Sequence, residues 1–408
     1  MKTPITYALD LGSTYFTLSA PLKEEKSTHL LSCSVESAGF HGGVLSDFSK
    51  AHAQLSFLVE KAEHKFNTDI SFVCVSISGK KTIARFSEAE ETNIQEPVSP
   101  SLLASLEKQA GRRLPSEGLE TLHAIPLAYL LNGTTWHESP LGLSAKSILA
   151  RFFFLQAEWA YLYDITRVCN QSGLTVSAFH SIPYASSLPF LSDSTSKMGV
   201  GILDLGGESG NGILYARGKP TALFTLNVGG AIITSDLSIG FSIPLSEAEK
   251  MKRLWGSDTE NQSEILEVVD LQGKTKVVTK EQALHIIHPR LYEMASLIQE
   301  KVAPHKHLLG AGIILTGGGS RIKGFDKILH QILQMPCITL TAPGTSQLES
   351  KSLDSQDLAS SAGMLILESR HKQQSEKNTT TPMGSLLYTE PTIEKPSLFS
   401  WFKKTAKS

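Results

Sequence analysis

The chain is poor in cysteine, and its few cysteines form no pattern. Cys33, Cys74, Cys169 and Cys337 stand far apart, without a CxxC pair. That excludes a zinc framework or a disulfide-stapled fold and reads as buried thiols in a reducing compartment. Long apolar runs are also missing. The most hydrophobic stretch, 148–163, is interrupted by Arg151, Gln156 and Glu158, so it cannot span a bilayer. The start has one lysine and a short apolar run closed by Asp10, too little for a secretory leader. No charge of one sign dominates. The formal net charge of -2 argues against the broad basic surface of a nucleic-acid binder. Charged residues, at 19%, fall below the usual quarter, while hydrophobic residues reach 41%. Wholesale disorder is excluded and a sizeable core is expected.

Several catalytic signatures are absent as well. The stretch Gly142–Ser147 ends like a P-loop, but Pro140 and Ala145 stand where that loop needs glycine. There is no Gly-x-Ser-x-Gly elbow and no HExxH. His285 with His288, and His305 with His307, read as surface histidines rather than metal ligands.

What is present is a repeated element. Residues 5–11 are apolar, Gly12 breaks the run, and 15–20 resume as a strand; 29–35 predict a third. A helix is predicted over 46–66, with Ser46 or Asp47 as N-cap and Leu55, Leu58, Val59 and Ala62 on its apolar face. The β-branched run 71–77 predicts a buried strand. Some 190 residues after the first turn the pattern recurs: 200–205 is apolar, ends in Asp204, Gly206 and Gly207, and 212–215 resumes. Between the repeats, residues 84–166 differ in texture, with a helix opening at Ser99-Pro100 and long strand runs at 119–131 and 146–155. They predict a small inserted α+β subdomain. Residues 230–302 are expected to be mostly helical, with a weak strand pair near 265–278. The divisions are 1–83, a first lobe; 84–166, the insert; 167–369, a second lobe whose end returns to the first; 370–396, a linker rich in Thr, Ser, Glu, Lys and Pro; and 397–408, a terminal helix.

Three glycine turns carry the chemistry. In Asp10-Leu-Gly12-Ser13-Thr14, a bare glycine lets backbone N–H groups approach a phosphate. Ser13 and Thr14 add hydroxyls, and Asp10 suits a hydrated Mg²⁺. Asp204-Leu-Gly206-Gly207 repeats that logic. Gly317-Gly318-Gly319, after the apolar run 313–315, permits close approach of a flat ligand. A dinucleotide fingerprint would need glycine at Ile322 and a place in an opening βαβ unit, so that reading is rejected.

Two Asp–Gly turns, a glycine-rich third turn and the helices between them form the pattern of the actin, sugar-kinase and heat-shock ATPase superfamily. Within it the chain resembles the FtsA family of cell-division proteins over about residues 5–368 and the tail. The resemblance rests on Asp10–Thr14, Ser78-Gly79-Lys80, His123-Ala-Ile-Pro126, Pro140–Ser144, Ser235-Asp236, Ser246–Glu249 with Lys252, and Gly312–Gly319. It implies a two-lobed actin-like α/β fold of ribonuclease H type that binds ATP and Mg²⁺ and is at most a weak ATPase. Gly12, Ser13, Thr14, Gly206 and Gly207 would flank the phosphates, with Gly229 and Gly230 closing over them. Glu249 and Lys252 would contact ribose and adenine, Gly317, Gly318 and Gly319 would back the adenosine, and Asp10 and Asp204 would hold Mg²⁺ through water. It further implies self-association, binding of the FtsZ C-terminal tail through Arg290 and Glu293, and later division partners on the insert. The location implied is the cytoplasmic side of the membrane at the division septum. A pilus-assembly adaptor and a sugar-kinase-like phosphotransferase are the alternatives.

Two stretches qualify that resemblance. Where the family carries a third glycine and then Asp, this chain has Glu208 and Asn211, which sets a carboxylate near the phosphates and puts hydrolysis in question, unless Glu208 turns to solvent. At the tail, Leu398, Phe399, Trp401, Phe402 and Ala406 share one side of a helical wheel, opposite Lys403, Lys404 and Lys407. Aromatics opposed to lysines suit an interfacial helix on an anionic membrane.

Overall fold

The computed structural model describes residues 6–23, 28–115, 117–256, 264–340 and 358–379. The apolar alternation of the first residues becomes the strand Tyr7–Leu11, which pairs antiparallel with Tyr15–Lys23 and parallel with Phe72–Ile77. Tyr15–Lys23 pairs in turn with Thr28–Glu36, and Phe72–Ile77 with Thr175–Ser181, giving five strands. The helix Phe48–Phe66 starts where Asp47 accepts the Lys50 N–H and ends at Asn67 in the left-handed region. Its buried face is Ala51, Leu55, Leu58, Val59 and Ala62, and Leu9, Phe16, Leu18 and Ile77 are fully buried on the sheet.

The second half repeats this design. Val200–Leu205 pairs antiparallel with Gly210–Ala216, which pairs with Lys219–Leu226; on the other side, Ile313–Thr316 and Cys337–Thr339 continue in parallel. Each sheet is therefore a three-strand meander followed by two parallel strands, and each places its Asp–Gly turn between the first two strands. A large core unites this sheet with the helices Gly230–Phe241, Leu245–Trp255, Lys280–Val302 and Phe325–Leu333 through Trp255, Leu291, Met294, Phe325 and Leu329. The strand pair expected near 265–278 is Ile265–Val269 with Thr275–Thr279.

The chain divides into two compact units: Met1–Lys80 with Val168–Leu365, and Lys81–Arg167 with Ile366–Ser408. The first contains both five-stranded sheets. In the second, Thr82–Thr92, Ser147–Glu158, Leu119–Leu131 and Thr135–His137 form an antiparallel sheet in that order. The helix Pro100–Arg112, capped by Ser99, buries Leu103, Leu106 and Ala110 against Phe152 and Phe154.

The last described helix, Ala359–Thr379, corrects one boundary: residues 370–379, read as linker, are helical. The rest of that linker and the proposed tail helix lie outside the described residues. Near its start, Leu358 and Ala362 pack on Leu30, so the chain returns to the first sheet. All four cysteines are buried thiols outside any disulfide, and burial pushes the Cys169 and Cys337 thiols up to about 12. Among the described residues, no helix is long and apolar enough to cross a membrane.

Candidate functional site

The two Asp–Gly turns are built alike. Gly12 N–H donates to the Tyr15 carbonyl at 3.1 Å, and Gly206 N–H donates to the Ser209 carbonyl at 2.8 Å. Both turns lie between the first two strands of a meander, and the fold brings them face to face. A Cβ placed at Gly207 would lie 2.0 Å from Thr14 Oγ1 and 3.7 Å from Ser13 Oγ, so a side chain there would displace the Thr14 hydroxyl. The helix Gly230–Phe241 begins over the second turn: Gly230 and Ala231 N–H donate to the Gly206 and Gly207 carbonyls at 3.0 and 2.7 Å.

The third glycine segment meets the same turn. Gly317 has φ +83, a left-handed conformation that side chains disfavour, and a Cβ there would lie 2.4 Å from Asp204 Oδ1. One at Gly319 would fall 2.9 Å from the Leu205 and Gly206 carbonyls. Gly318 opens the short 3₁₀ turn that follows. The structure therefore brings together Gly12, Ser13, Thr14, Asp204, Gly206, Gly207, Gly229, Gly230 and Gly317–Gly319, the residues singled out in the sequence.

Glu249 and Lys252 stand at the edge of this cluster. Lys252 Nζ lies 2.6 Å from Glu249 Oε2 and donates to Thr234 Oγ1 at 2.9 Å and to the Gly230 carbonyl at 3.0 Å. Thr234 Oγ1 donates to Glu249 Oε2 at 2.6 Å, and Arg253 Nε donates to Glu249 Oε1 at 2.8 Å. Burial by itself would raise the Glu249 carboxyl, but Lys252, with help from Thr234 and Arg253, brings it down to about 2. For Lys252 the balance reverses: burial wins over Glu249 and lowers the ammonium below its ordinary value. Arg253 also reaches the Tyr15 hydroxyl at 3.1 Å, joining the second-half helix to the first turn.

Asp10 is held by two hydroxyls that sequence reasoning missed. Ser76 donates to Oδ1 at 2.6 Å, and Ser360 donates to Oδ2. The carboxyl keeps some exposed surface, yet the dense surroundings raise its pKa by desolvation, against both hydrogen bonds. Each oxygen retains a lone pair able to receive a metal-bound water.

Glu208 does not turn freely to solvent. Its carboxylate accepts the Gly42 backbone N–H and pairs with His41 Nδ1 at 3.0 Å, both from the hairpin Phe40–His41 and Val44–Leu45. Asn211 is buried, and its Oδ1, with Thr225 Oγ1, crowds Gly79: a Cβ there would lie 2.2 and 2.5 Å from them. Arg290 and Glu293 lie away from this cluster, on the helix Lys280–Val302. Arg290 Nε and Nη2 donate to Asp236 at 2.6 and 3.1 Å, and Nη1 donates to Glu293.

The paired sheets and their facing turns place the chain in a class of known architecture, the actin-like ATPase fold. The structure is similar to the PilM–PilN type IV pilus biogenesis complex, with a TM-score of 0.66 and 16% identity, covering 89% of this chain and 98% of that one. It is also similar to MreB5 of Spiroplasma citri bound to ADP, with a TM-score of 0.54 and 14% identity, covering 92% of this chain and 99% of that one. By sequence, the chain is similar to the cell-division protein FtsA. The family model for cell division protein FtsA matches residues 201–363. FtsA of Buchnera aphidicola is 23% identical over 82% of this chain and 83% of its own length. FtsA of Escherichia coli strain K12 is 25% identical over 73% of this chain and 74% of its own.

Proposed function

We propose that this cluster of glycine turns binds an adenine nucleotide with Mg²⁺ and that the protein works as an FtsA-type adaptor of the division machinery. The observation that carries the nucleotide reading is the cradle itself. Gly207, Gly229, Gly317 and Gly319 sit where any Cβ would strike backbone or side-chain atoms within 3 Å, and the chain-distant glycine turns converge on one cleft. Glycine turns beside the Ser13 and Thr14 hydroxyls suit phosphate oxygens, and the MreB5 structure was solved with ADP. Gly12–Thr14 and Gly206–Gly207 would hold the phosphates, Gly317–Gly319 the adenosine, and Asp10 and Asp204 the hydrated metal, which would offset phosphate charge.

Around that core, the proposed protein self-associates, recruits the FtsZ tail to the helix face of Arg290 and Glu293, and offers the 81–167 unit to later division partners. Residues 397–408 carry it to the anionic inner face of the membrane: Leu398, Phe399, Trp401 and Phe402 supply apolar area, and Lys403, Lys404 and Lys407 supply charge. A fluorescent fusion that forms a midcell band, and purified protein that carries FtsZ onto anionic vesicles, are the expected results. A diffuse fusion and vesicles without FtsZ would refute the adaptor role. The likeness to the PilM–PilN complex supports a second reading, a pilus-assembly adaptor; a polar or scattered fusion with no affinity for FtsZ would favour it.

A further inference from the structure

We propose that Glu208 is a specificity-determining residue: its carboxylate already fills an anion-receiving corner of the cleft, so the site takes a nucleoside diphosphate in preference to a triphosphate. The proposal rests on the nucleotide reading above and adds to it which nucleotide is held.

Glu208 directly follows Gly207, the residue pressed against Thr14 where the two turns meet. Its side chain thus leaves from the turn assigned to the phosphates. It does not leave empty-handed: the Gly42 backbone N–H donates to one oxygen, and His41 Nδ1 lies 3.0 Å from the other. The hairpin tip that supplies these donors is shaped for the task. Gly42 and Gly43 have φ of +57 and +73, the tight left-handed pair of a two-residue turn, and the turn directs the Gly42 N–H at Glu208. The tip is pressed onto Ser78-Gly79-Lys80. A Cβ on Gly42 would lie 2.8 Å from Lys80 Nζ, and one on Gly43 would lie 2.7 Å from Ser78 Oγ.

The corner therefore gathers a backbone N–H, an imidazole and an ammonium, the groups that recognise a phosphate. The titratable groups facing it are His41, Lys80 and Glu208. The anion held there belongs to the protein. Because it is tethered to the turn, the carboxylate competes at high effective concentration. A terminal phosphate must either displace it from Gly42 or accept its like charge nearby, and in a partly buried cleft that repulsion is poorly screened. A diphosphate, one anionic group shorter, meets less of this penalty.

The test is calorimetric titration of the full chain with Mg-ADP and with Mg-ATP, for wild type and Glu208→Gln. Glutamine is nearly isosteric and keeps an oxygen to accept the Gly42 N–H, so the fold is retained. Wild type should bind ATP at least tenfold more weakly than ADP, and the variant should bring the ratio of the two dissociation constants to within about threefold. The ratio cancels any general loosening of the cleft. Equal affinities in wild type, or the same ratio in both proteins, would overturn the proposal while leaving the nucleotide cleft intact. If neither nucleotide binds either protein, the nucleotide reading fails and this proposal falls with it.

Discussion

Replacing Glu249 with glutamine tests the electrostatics at the edge of the glycine cluster. The wild-type carboxyl is held at about 2 against an ordinary 4.5. At 1.36 kcal/mol for each tenfold, that shift amounts to roughly 3 kcal/mol of native-state preference for the charged form. Glu249 is 32% exposed and Lys252 12%, so solvent screening reduces the contribution to about 2 kcal/mol. The sign follows from the depressed native pKa. The stability is present above the unfolded value near 4.5 and is lost as pH falls through about 2. Glu249→Gln should therefore unfold in less urea than wild type at pH 7, by about 2 kcal/mol. The gap should close as both are titrated from pH 4.5 toward 2. A gap independent of pH, or no gap at pH 7, would refute the reasoning, because the Lys252 and Arg253 contacts would then not be stabilising the charged carboxylate.

Arg290→Glu should weaken binding of an FtsZ-tail peptide, and calorimetry with the peptide checks this. The same change also touches the fold. It removes the paired hydrogen bonds to Asp236 and sets three carboxylates together, so melting should show a loss of roughly 1–3 kcal/mol. Trp401→Glu should release the protein from anionic liposomes in a flotation assay without changing its melting temperature. Each inserted aromatic is worth on the order of 1.5–3 kcal/mol at full burial, and one charge in its place reverses that term. The purified chain should release phosphate from ATP slowly, because Glu208 and Asn211 stand at the second Asp–Gly turn, proposed to hold phosphate; brisk steady-state release would contradict this.

The fold was legible where the sequence has to obey backbone geometry. Asp10–Gly12 and Asp204–Gly207 read as turns because glycine is required for close approach, and their repetition foretold two like sheets. The helix Phe48–Phe66 was legible from its cap and apolar spacing. The hairpin at Phe40–Leu45 was not: its strands are two residues each, too short for any period, and only Gly42-Gly43 marks it. Glu208 was recognised as out of place, but its partners lie 166 residues away in the chain, at Gly42 and beside it. Ser76 and Ser360 were missed for a similar reason. A serine at a strand end or helix start has a local explanation, and nothing in the sequence shows that 350 residues separate Ser360 from the carboxylate it meets. Arg253 was within reach, since it lies four residues after Glu249 on one helix face. Arg290 was picked as a surface contact, yet its guanidinium braces Asp236 on the neighbouring helix.

The central claim is that the converging glycine turns form an adenine-nucleotide site, and Gly317→Asp addresses it most directly. Gly317 combines a left-handed backbone with less than 3 Å of clearance to Asp204 and Leu205, so aspartate there adds bulk and a like charge to the proposed adenosine wall. Wild type titrated with Mg-ADP in a calorimeter should bind one nucleotide per chain, and Gly317→Asp, confirmed as folded by circular dichroism, should bind none. Saturable binding of equal affinity in both proteins would place the nucleotide elsewhere, and no binding by wild type would contradict the account.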